Sequence, residues 1–214
     1  MLLLSSALSA AGEEPAAGTA VRQSADVAAL LDSLGRDVSR FQTLKTDFTQ
    51  EKRLAVFQNT VLLRGRIFLQ KPARIAWHVD APLKYSVVIS DASIRQWDED
   101  TDRVQEITFA KNPVLQNVMQ QITVWFSGDY SSLLKDYDVL IDDERPVMLR
   151  FIPKKTSAAA KVVKQVRIEF REDNKYLRKL TIIEQGGDST SITFTGTVFD
   201  VPLDARDFEV KRRV

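Results

Sequence analysis

The chain has 214 residues, 44% of them hydrophobic and 28% charged, and is long enough for one domain with a substantial core. Its 30 lysine and arginine residues balance 29 aspartate and glutamate residues, so it lacks the basic surplus typical of nucleic-acid-binding proteins and of proteins held electrostatically on anionic membranes. Because there is no cysteine, disulfides, thiolate metal sites and cysteine nucleophiles are excluded.

The N-terminus carries a short apolar run, residues 2–10, which is too short to cross a bilayer. Small residues follow it at positions that suit signal cleavage (Ser9 and Ala11, or Ala10 and Gly12), although no positively charged region precedes it. We therefore expect residues 1–23 to be a truncated signal peptide and disordered lead-in, with a mature start near residues 12–18. The domain is expected in residues 24–214.

The first amphipathic segment runs from Ser24 to Phe41. Its apolar residues recur at helical spacing on one side, and Ser24 is suited to cap the N-terminus. These apolar residues are Val27, Leu30, Leu31, Leu34, Val38 and Phe41. We expect one helix whose apolar side packs against a large surface.

From Leu44 onward apolar and polar residues alternate, which predicts β-strands. The alternation is clearest in residues 60–70, 74–79 and 85–90. Pro72, Pro82 and the acidic run 98–102 mark turns between these strands. Alternation of this kind indicates a sheet with one covered face and one wetter face.

Asn112 and Pro113 predict the start of a second helix, because asparagine caps helices well and proline suits the first helical position. Its apolar side is formed by Val114, Leu115, Val118, Met119 and Ile122. We expect this helix to end at residues 127–129 and a short helical stretch to follow at residues 130–135.

The last third of the chain returns to strands. They are expected at residues 137–141, 147–153, 162–170, 176–184 and 190–199. The order of helix, strands, helix and strands, without a parallel βαβ rhythm, predicts an α+β domain built on an antiparallel sheet.

Candidate catalytic and metal-binding residues are few. The single histidine, His78, would have to serve any serine–histidine–aspartate triad, but no Gly-x-Ser-x-Gly motif is present. Because His78 alternates with Trp77 along a strand, we expect its side chain to face solvent. The run 98–102 has calcium-loop spacing, but Arg103 and Phe109 stand where that loop needs glycine and glutamate, so a hairpin tip explains it better. We therefore expect a protein that is not an enzyme and needs no cofactor or metal.

The apolar residues allow two interpretations. Two helices with apolar sides on one covered sheet face either complete a filled core, as in most proteins, or close over a cavity on a curved sheet. Periodicity does not separate these arrangements.

Several short stretches between residues 25 and 210 carry a family resemblance. They are Phe48-Thr49-Gln50, Gly65, Lys71-Pro72-Ala73-Arg74-Ile75-Ala76-Trp77-His78, Pro82, Val88-Ile89-Ser90-Asp91, Trp97, Asn112-Pro113 and Glu184-Gln185. In this order they resemble the LolA family of periplasmic outer-membrane lipoprotein carriers. The resemblance implies a strongly curved antiparallel sheet, an incomplete barrel, with a helical lid over an apolar cavity.

The resemblance also implies a set of ligand-contacting residues. They are Ile75 and Trp77 in the cavity, and Val114, Leu115 and Val118, with Met119 on the same apolar side, in the lid. Lys71 stands where typical members have an arginine that hydrogen-bonds the lid, so we expect it to act as a lid latch, with less geometric precision than an arginine.

Members of this family take lipid-modified proteins from an inner-membrane exporter to an outer-membrane acceptor. The resemblance therefore implies a monomeric periplasmic carrier of acylated cargo that does not bind nucleic acid. A glycolipid or other acylated product beside an exporter is the alternative cargo. A structural β domain with a filled core, and a hydrolase that depends on His78, are the rival function classes.

Overall fold

The computed structural model describes residues 17–56, 60–72, 74–111 and 124–211. Within them a helix, α1 (Ala17–Ser39), precedes eleven strands. The strands are β1 (Thr43–Arg53), β2 (Thr60–Gln70), β3 (Arg74–Ala81), β4 (Tyr85–Ile89), β5 (Ser93–Asp98), β6 (Val104–Thr108), β7 (Tyr137–Glu144), β8 (Val147–Pro153), β9 (Val163–Phe170), β10 (Leu177–Glu184) and β11 (Ser189–Phe199). Short 3₁₀ turns lie at Phe109–Lys111, Tyr130–Lys135, Ala158–Lys161 and Ala205–Phe208.

The strands form one antiparallel sheet in the order β6-β5-β4-β3-β2-β1-β11-β10-β9-β8-β7. Strands adjacent in sequence pair as two meanders. The β1–β11 ladder joins these meanders, and it pairs strands that are far apart in the sequence. Because β6 and β7 occupy opposite edges, the sheet is not a closed barrel. The antiparallel α+β architecture predicted from the sequence is confirmed.

Contacts of two adjacent residues show that the sheet curls strongly. The ring of Trp125 lies 5.0 Å from that of Phe151 on β8, and the ring of Phe126 lies 6.2 Å from that of Trp77 on β3, measured between centroids. In a flat sheet β3 and β8, which are six strand spacings apart, would be separated by about 29 Å. The sheet must therefore curve around these two aromatic residues, with a concave inner face.

Helix α1 packs on the inner face because its apolar side is long enough to match the sheet. Val27, Leu31, Leu34 and Val38 are buried, as predicted. The helix begins at Ala17 rather than Ser24, so residues 17–23 of the expected lead-in are helical. No helix among the described residues is long and apolar enough to cross a membrane.

The strand predictions agree closely with the structure. Residues 60–70 and 147–153 match β2 and β8, whereas β9 begins at Val163, one residue later than expected. Between β2 and β3, a Cβ atom on Gly65 would lie 1.9 Å from the carbonyl oxygen of His78. Only glycine permits this close approach of the two backbones.

The outer face is also covered, and the predicted exposure of His78 is therefore wrong. His78 does lie opposite Trp77, but its side chain is 1% exposed. Its Nδ1 lies 2.8 Å from Ser86 Oγ, and its Nε2 lies 2.8 Å from the carbonyl oxygen of Asp207. The covering chain is the C-terminal segment, residues 204–211, whose apolar residues join a second small core. That core contains Phe68, Ala76, Val88, Phe208 and Val210.

Most of the predicted second helix, residues 112–123, lies outside the described residues. Residues 124–127 are helical, and Gly128 has a φ of +91°, in agreement with the predicted helix end at residues 127–129. The short helical stretch expected at residues 130–135 is confirmed as a 3₁₀ turn.

Candidate functional site

The inner face is the main apolar surface that this fold builds. Side chains from α1 and from both halves of the sheet form one hydrophobic cluster on it. Aromatic rings dominate the middle of the face, where Phe48 lies 4.7 Å from Trp77 and Phe126 lies 6.0 Å from Phe194. Such a surface favours apolar ligands over polar ones.

The layer over this face is a separate part of the structure, which we call the cover. It consists of α1, residues 124–127 and the 3₁₀ turn Tyr130–Lys135. Within the cover, Ser131 donates a hydrogen bond to Asp32, and a Cβ on Gly35 would lie 2.5 Å from the carbonyl oxygen of Gly128. The parts of the cover are thus fitted tightly to one another.

Two lysines connect the sheet to the cover through hydrogen bonds. Lys71, just after β2, donates from Nζ to the carbonyl oxygen of Val38 over 2.7 Å. Lys154, just after β8, donates from Nζ to the carbonyl oxygen of Leu134 over 2.6 Å. Both acceptors are backbone carbonyls near the ends of helical segments, where the last carbonyls lack partners within the helix.

Lys71 was the predicted lid latch, and its side chain points toward the inner side, where it meets α1. Its Nζ lies 4.0 Å from the centroid of the Phe41 ring. Burial lowers the pKa of Lys71, and the nearby carboxylate of Asp200 partly offsets this effect. The partner that the structure shows is the backbone of α1, whereas the prediction named the lid that carries Val114, Leu115 and Val118. The proposed bond to residues 112–122 lies outside the described residues.

Ile75 and Trp77 both lie on the inner face. Ile75 is fully buried beside Leu69 and Ile89, its neighbours on β2 and β4. Trp77 is half-buried, and its ring contacts Phe48 and Phe126. The other predicted contact residues, Val114, Leu115, Val118 and Met119, are outside the described residues.

Burial on the inner face decreases toward one end of the sheet. On β2, Leu69 and Ile67 are buried, Leu63 is half-buried and Val61 is 42% exposed. On β10 the same trend runs from Leu180, which is buried, to Ile182, which is half-buried. The inner face is therefore least covered where β1 ends and β2 begins.

Two buried tyrosines under the cover were not predicted. Tyr176 and Tyr130 are 1% and 0% exposed, and burial raises the pKa of both hydroxyls, that of Tyr130 also through the neighbouring Tyr176. The ring of Tyr130 stands edge-on to Phe170. Their contacts arise from residues distant in sequence, and local periodicity carries no signal of them.

A surface pocket of about 1200 Å³ lies away from this face, beside the C-terminal segment. Its lining is mostly charged. It consists of Arg66, Arg95, Val104, Asp204, Arg206, Asp207, Glu209, Val210 and Lys211. Such a lining is unsuited to an alkyl chain, whereas the inner face is apolar.

Known proteins are similar to this chain in sequence or in fold. The family model of the outer membrane lipoprotein carrier protein LolA matches residues 39–211. The chain belongs to the LolA family. An outer-membrane lipoprotein carrier protein of Pseudomonas syringae pv. tomato is 26% identical over 82% of this chain and 84% of its own length. One from Azotobacter vinelandii is 24% identical over 81% of this chain and 80% of its own length.

Solved structures share the fold of this chain. MucB superposes with a TM-score of 0.54 at 13% identity, covering 87% of this chain and 63% of MucB. An uncharacterized conserved protein from Thermus thermophilus has a TM-score of 0.52 at 8% identity, covering 87% of this chain and 93% of its own. At these identities the likeness concerns the fold alone.

Proposed function

We propose that this LolA-family protein is a periplasmic carrier that shelters the acyl chains of a lipid-modified protein between its inner face and its cover. The observation that carries the proposal is the construction of the core from two separable layers. One layer is a continuous hydrogen-bonded sheet, and the other is a cover that packs on it mainly through apolar side chains. The carrier names of the relatives support the same function.

The physical requirement on such a carrier is a balance between capture and release. An acyl chain that leaves a bilayer loses about 0.8 kcal/mol for each CH₂ group that comes to face water. The aromatic and aliphatic inner face recovers this free energy when the cover moves aside. When the cargo leaves, the cover returns to the same surface, and Lys71 and Lys154 hold it there.

We propose that Ile75 and Trp77 contact the acyl chains, and that Val114, Leu115, Val118 and Met119 complete the cover. The assignment of the four cover residues is supported by the positions of the described residues on either side of them. Phe109, at one end, donates a backbone hydrogen bond to Ala92 beside the β5–β6 edge, and Phe126, at the other end, contacts Trp77 on the inner face.

The function implies two protein partners, an inner-membrane donor and an outer-membrane acceptor, and a monomer that carries out no catalysis. The apolar run at residues 2–10 supports export to the periplasm. A glycolipid or other acylated product is the alternative cargo, and the same assay distinguishes it.

A release assay tests the proposal. Inner-membrane vesicles that contain a labelled lipidated protein and its exporter are incubated with the purified chain and ATP, and label in the soluble fraction is measured. We expect release of the lipidated protein but not of a cysteine-to-serine cargo that lacks acyl chains.

Trp77→Glu should abolish release, because it places a carboxylate on the apolar face, whereas Lys45→Glu on the outer side should not. Release of lipid without protein would favour the alternative cargo, and no release would contradict the carrier function.

A further inference from the structure

The hydroxyl of Tyr130 is buried and has no hydrogen-bond partner. Among the described residues it is the only buried side-chain nitrogen or oxygen atom without one. The side chain is 0% exposed. Burying a hydroxyl without a partner is unfavourable, and folded proteins avoid it in most cases. The position therefore requires a physical explanation.

The Tyr130 side chain lies at the boundary between the cover and the sheet. Tyr130 is the first residue of the 3₁₀ turn in the cover, and its neighbour Ser131 bonds to Asp32 of α1. Its ring packs edge-on against Phe170 of β9, with the centroids 5.6 Å apart. The group thus belongs to the layer that moves in the proposed function, and it contacts the layer that stays.

Acylated cargo brings the complementary group into this apolar space. Ester and amide carbonyls join the acyl chains to a lipidated cysteine, and each carbonyl that enters an apolar site needs a donor. A charged donor would be far more costly to bury there than a neutral phenol. Burial also raises the pKa of Tyr130, so the hydroxyl keeps its proton and stays a donor.

We propose that Tyr130 is a ligand-recognition residue whose hydroxyl donates a hydrogen bond to an ester or amide carbonyl of the acylated cargo. The inference rests on the proposed carrier function. The empty protein leaves the hydroxyl unsatisfied, and the loaded protein satisfies both the hydroxyl and the ligand carbonyl. The site therefore distinguishes acyl chains from alkyl chains of equal length.

The test uses two lipopeptides that differ only at the linkage, a dipalmitoylglyceryl-cysteine peptide and its dihexadecyl ether counterpart. Their affinities are measured by displacement of a fluorescent apolar probe from the full chain and from Tyr130→Phe. We expect the unmodified protein to prefer the ester, and Tyr130→Phe to lose about 5- to 10-fold in ester affinity with no change for the ether.

Tyr137→Phe is the matched control, because Tyr137 also packs in the inner core, against Trp125 and Phe151, without an unsatisfied hydroxyl. It should leave both affinities unchanged. Equal ester and ether affinities in the unmodified protein, or the same ester preference in Tyr130→Phe, would overturn the role of Tyr130 alone. A lower melting temperature of Tyr130→Phe with unchanged affinities would show that the hydroxyl holds an internal water instead. Binding of neither lipopeptide would refute the carrier function and this inference with it.

Discussion

Lys71 and Lys154 illustrate how single residues control the contact between sheet and cover. Each follows the last residue of a strand, and each donates to a carbonyl near the end of a helical segment. Apolar attraction is non-directional, whereas a hydrogen bond requires a defined geometry. The two directed bonds give the closed state a defined geometry.

Replacing Lys71 by leucine should slow the release of cargo. A hydrogen bond from a charged donor contributes about 1.5–3 kcal/mol when shielded from water, and Lys71→Leu removes this term from the closed state while adding apolar surface. We expect a fluorescent fatty-acyl probe to dissociate several-fold more slowly from Lys71→Leu and at the parental rate from Lys71→Arg.

Lys45→Leu provides the control for that comparison, since Lys45 lies over the Phe68 ring on the outer side. Its probe dissociation should match that of the parent. Equal dissociation rates for all four proteins would remove Lys71 from the mechanism.

The buried tyrosines should make the protein sensitive to alkaline pH. All four tyrosines have raised pKa values because of burial. A tyrosine whose pKa is higher in the folded state stabilises the fold fully below the unfolded pKa, near 10, and this stabilisation is lost as the pH rises further. Above pH 10, Tyr130 and Tyr176 should each lower the free energy of unfolding by about 1.4 kcal/mol per pH unit.

Urea unfolding between pH 9 and pH 11.5 measures this dependence of the free energy of unfolding on pH. The slope should be shallower in Tyr176→Phe than in the parent. An identical slope would contradict the assignment.

At the scale of elements, the tightest seam in the cover lies between α1 and the backbone at Gly128. A Cβ added at Gly35 would lie 2.5 Å from the Gly128 carbonyl oxygen, and one added at Gly128 would lie 2.7 Å from the Val38 Cβ. The absence of both side chains lets the helix and the following segment close on each other.

Gly35→Ala should therefore open the cover, although alanine favours the helix by about 1 kcal/mol. The backbone carbonyl has to move to admit the methyl group, and the seam is lost. We expect a lower melting temperature and increased binding of an apolar dye, with the strand content unchanged by circular dichroism. Gly186→Ala, where an added Cβ meets nothing within 4 Å, is the matched control. A melting temperature raised equally by both substitutions would show that the seam has no role.

The C-terminal segment, residues 204–211, is an element that sequence periodicity did not predict. It covers the outer face of β2, β3 and β4 with Phe208 and Val210, and the guanidinium carbon of Arg74 lies 4.1 Å from the Phe208 ring centroid. Because it packs on the face opposite the candidate site, its contribution should be to stability and not to ligand binding.

Phe208→Ala should separate these two effects. Removing a buried phenylalanine costs about 3 kcal/mol, so the free energy of unfolding should fall by this amount and trypsin should cleave more rapidly after Arg206. Acyl-probe affinity should remain within twofold of the parent. A parallel loss of affinity would show that the outer face is coupled to the inner one.

For the molecule as a whole, local sequence patterns predicted most helices and strands. Contacts between distant residues determine how these elements pack and what covers each face. The alternation in residues 60–70 and the apolar stripe from Val27 to Val38 report which side of a strand or helix is buried, and both agree with the structure. Alternation does not report what covers each side, which is why His78 was assigned to solvent. The Asp207 carbonyl that it contacts is 129 residues away in sequence.

The candidate site was predicted only in part for the same reason. Ile75 and Trp77 followed from a resemblance in one strand, and both lie on the inner face. Tyr130, Lys154 and the β1–β11 pairing depend on contacts between distant parts of the chain. No local period or turn residue encodes them.

Native mass spectrometry of the protein purified from the periplasm tests the carrier function most directly. The spectrum should contain, beside the free protein, a one-to-one complex whose additional mass is a protein with its acyl chains. Trp77→Glu purified in the same way should lack this complex, while Lys45→Glu should retain it. A preparation in which the parent and both variants carry no acylated molecule, despite intact lipidated proteins in the same cells, would contradict the account and identify the inner face as an ordinary filled core.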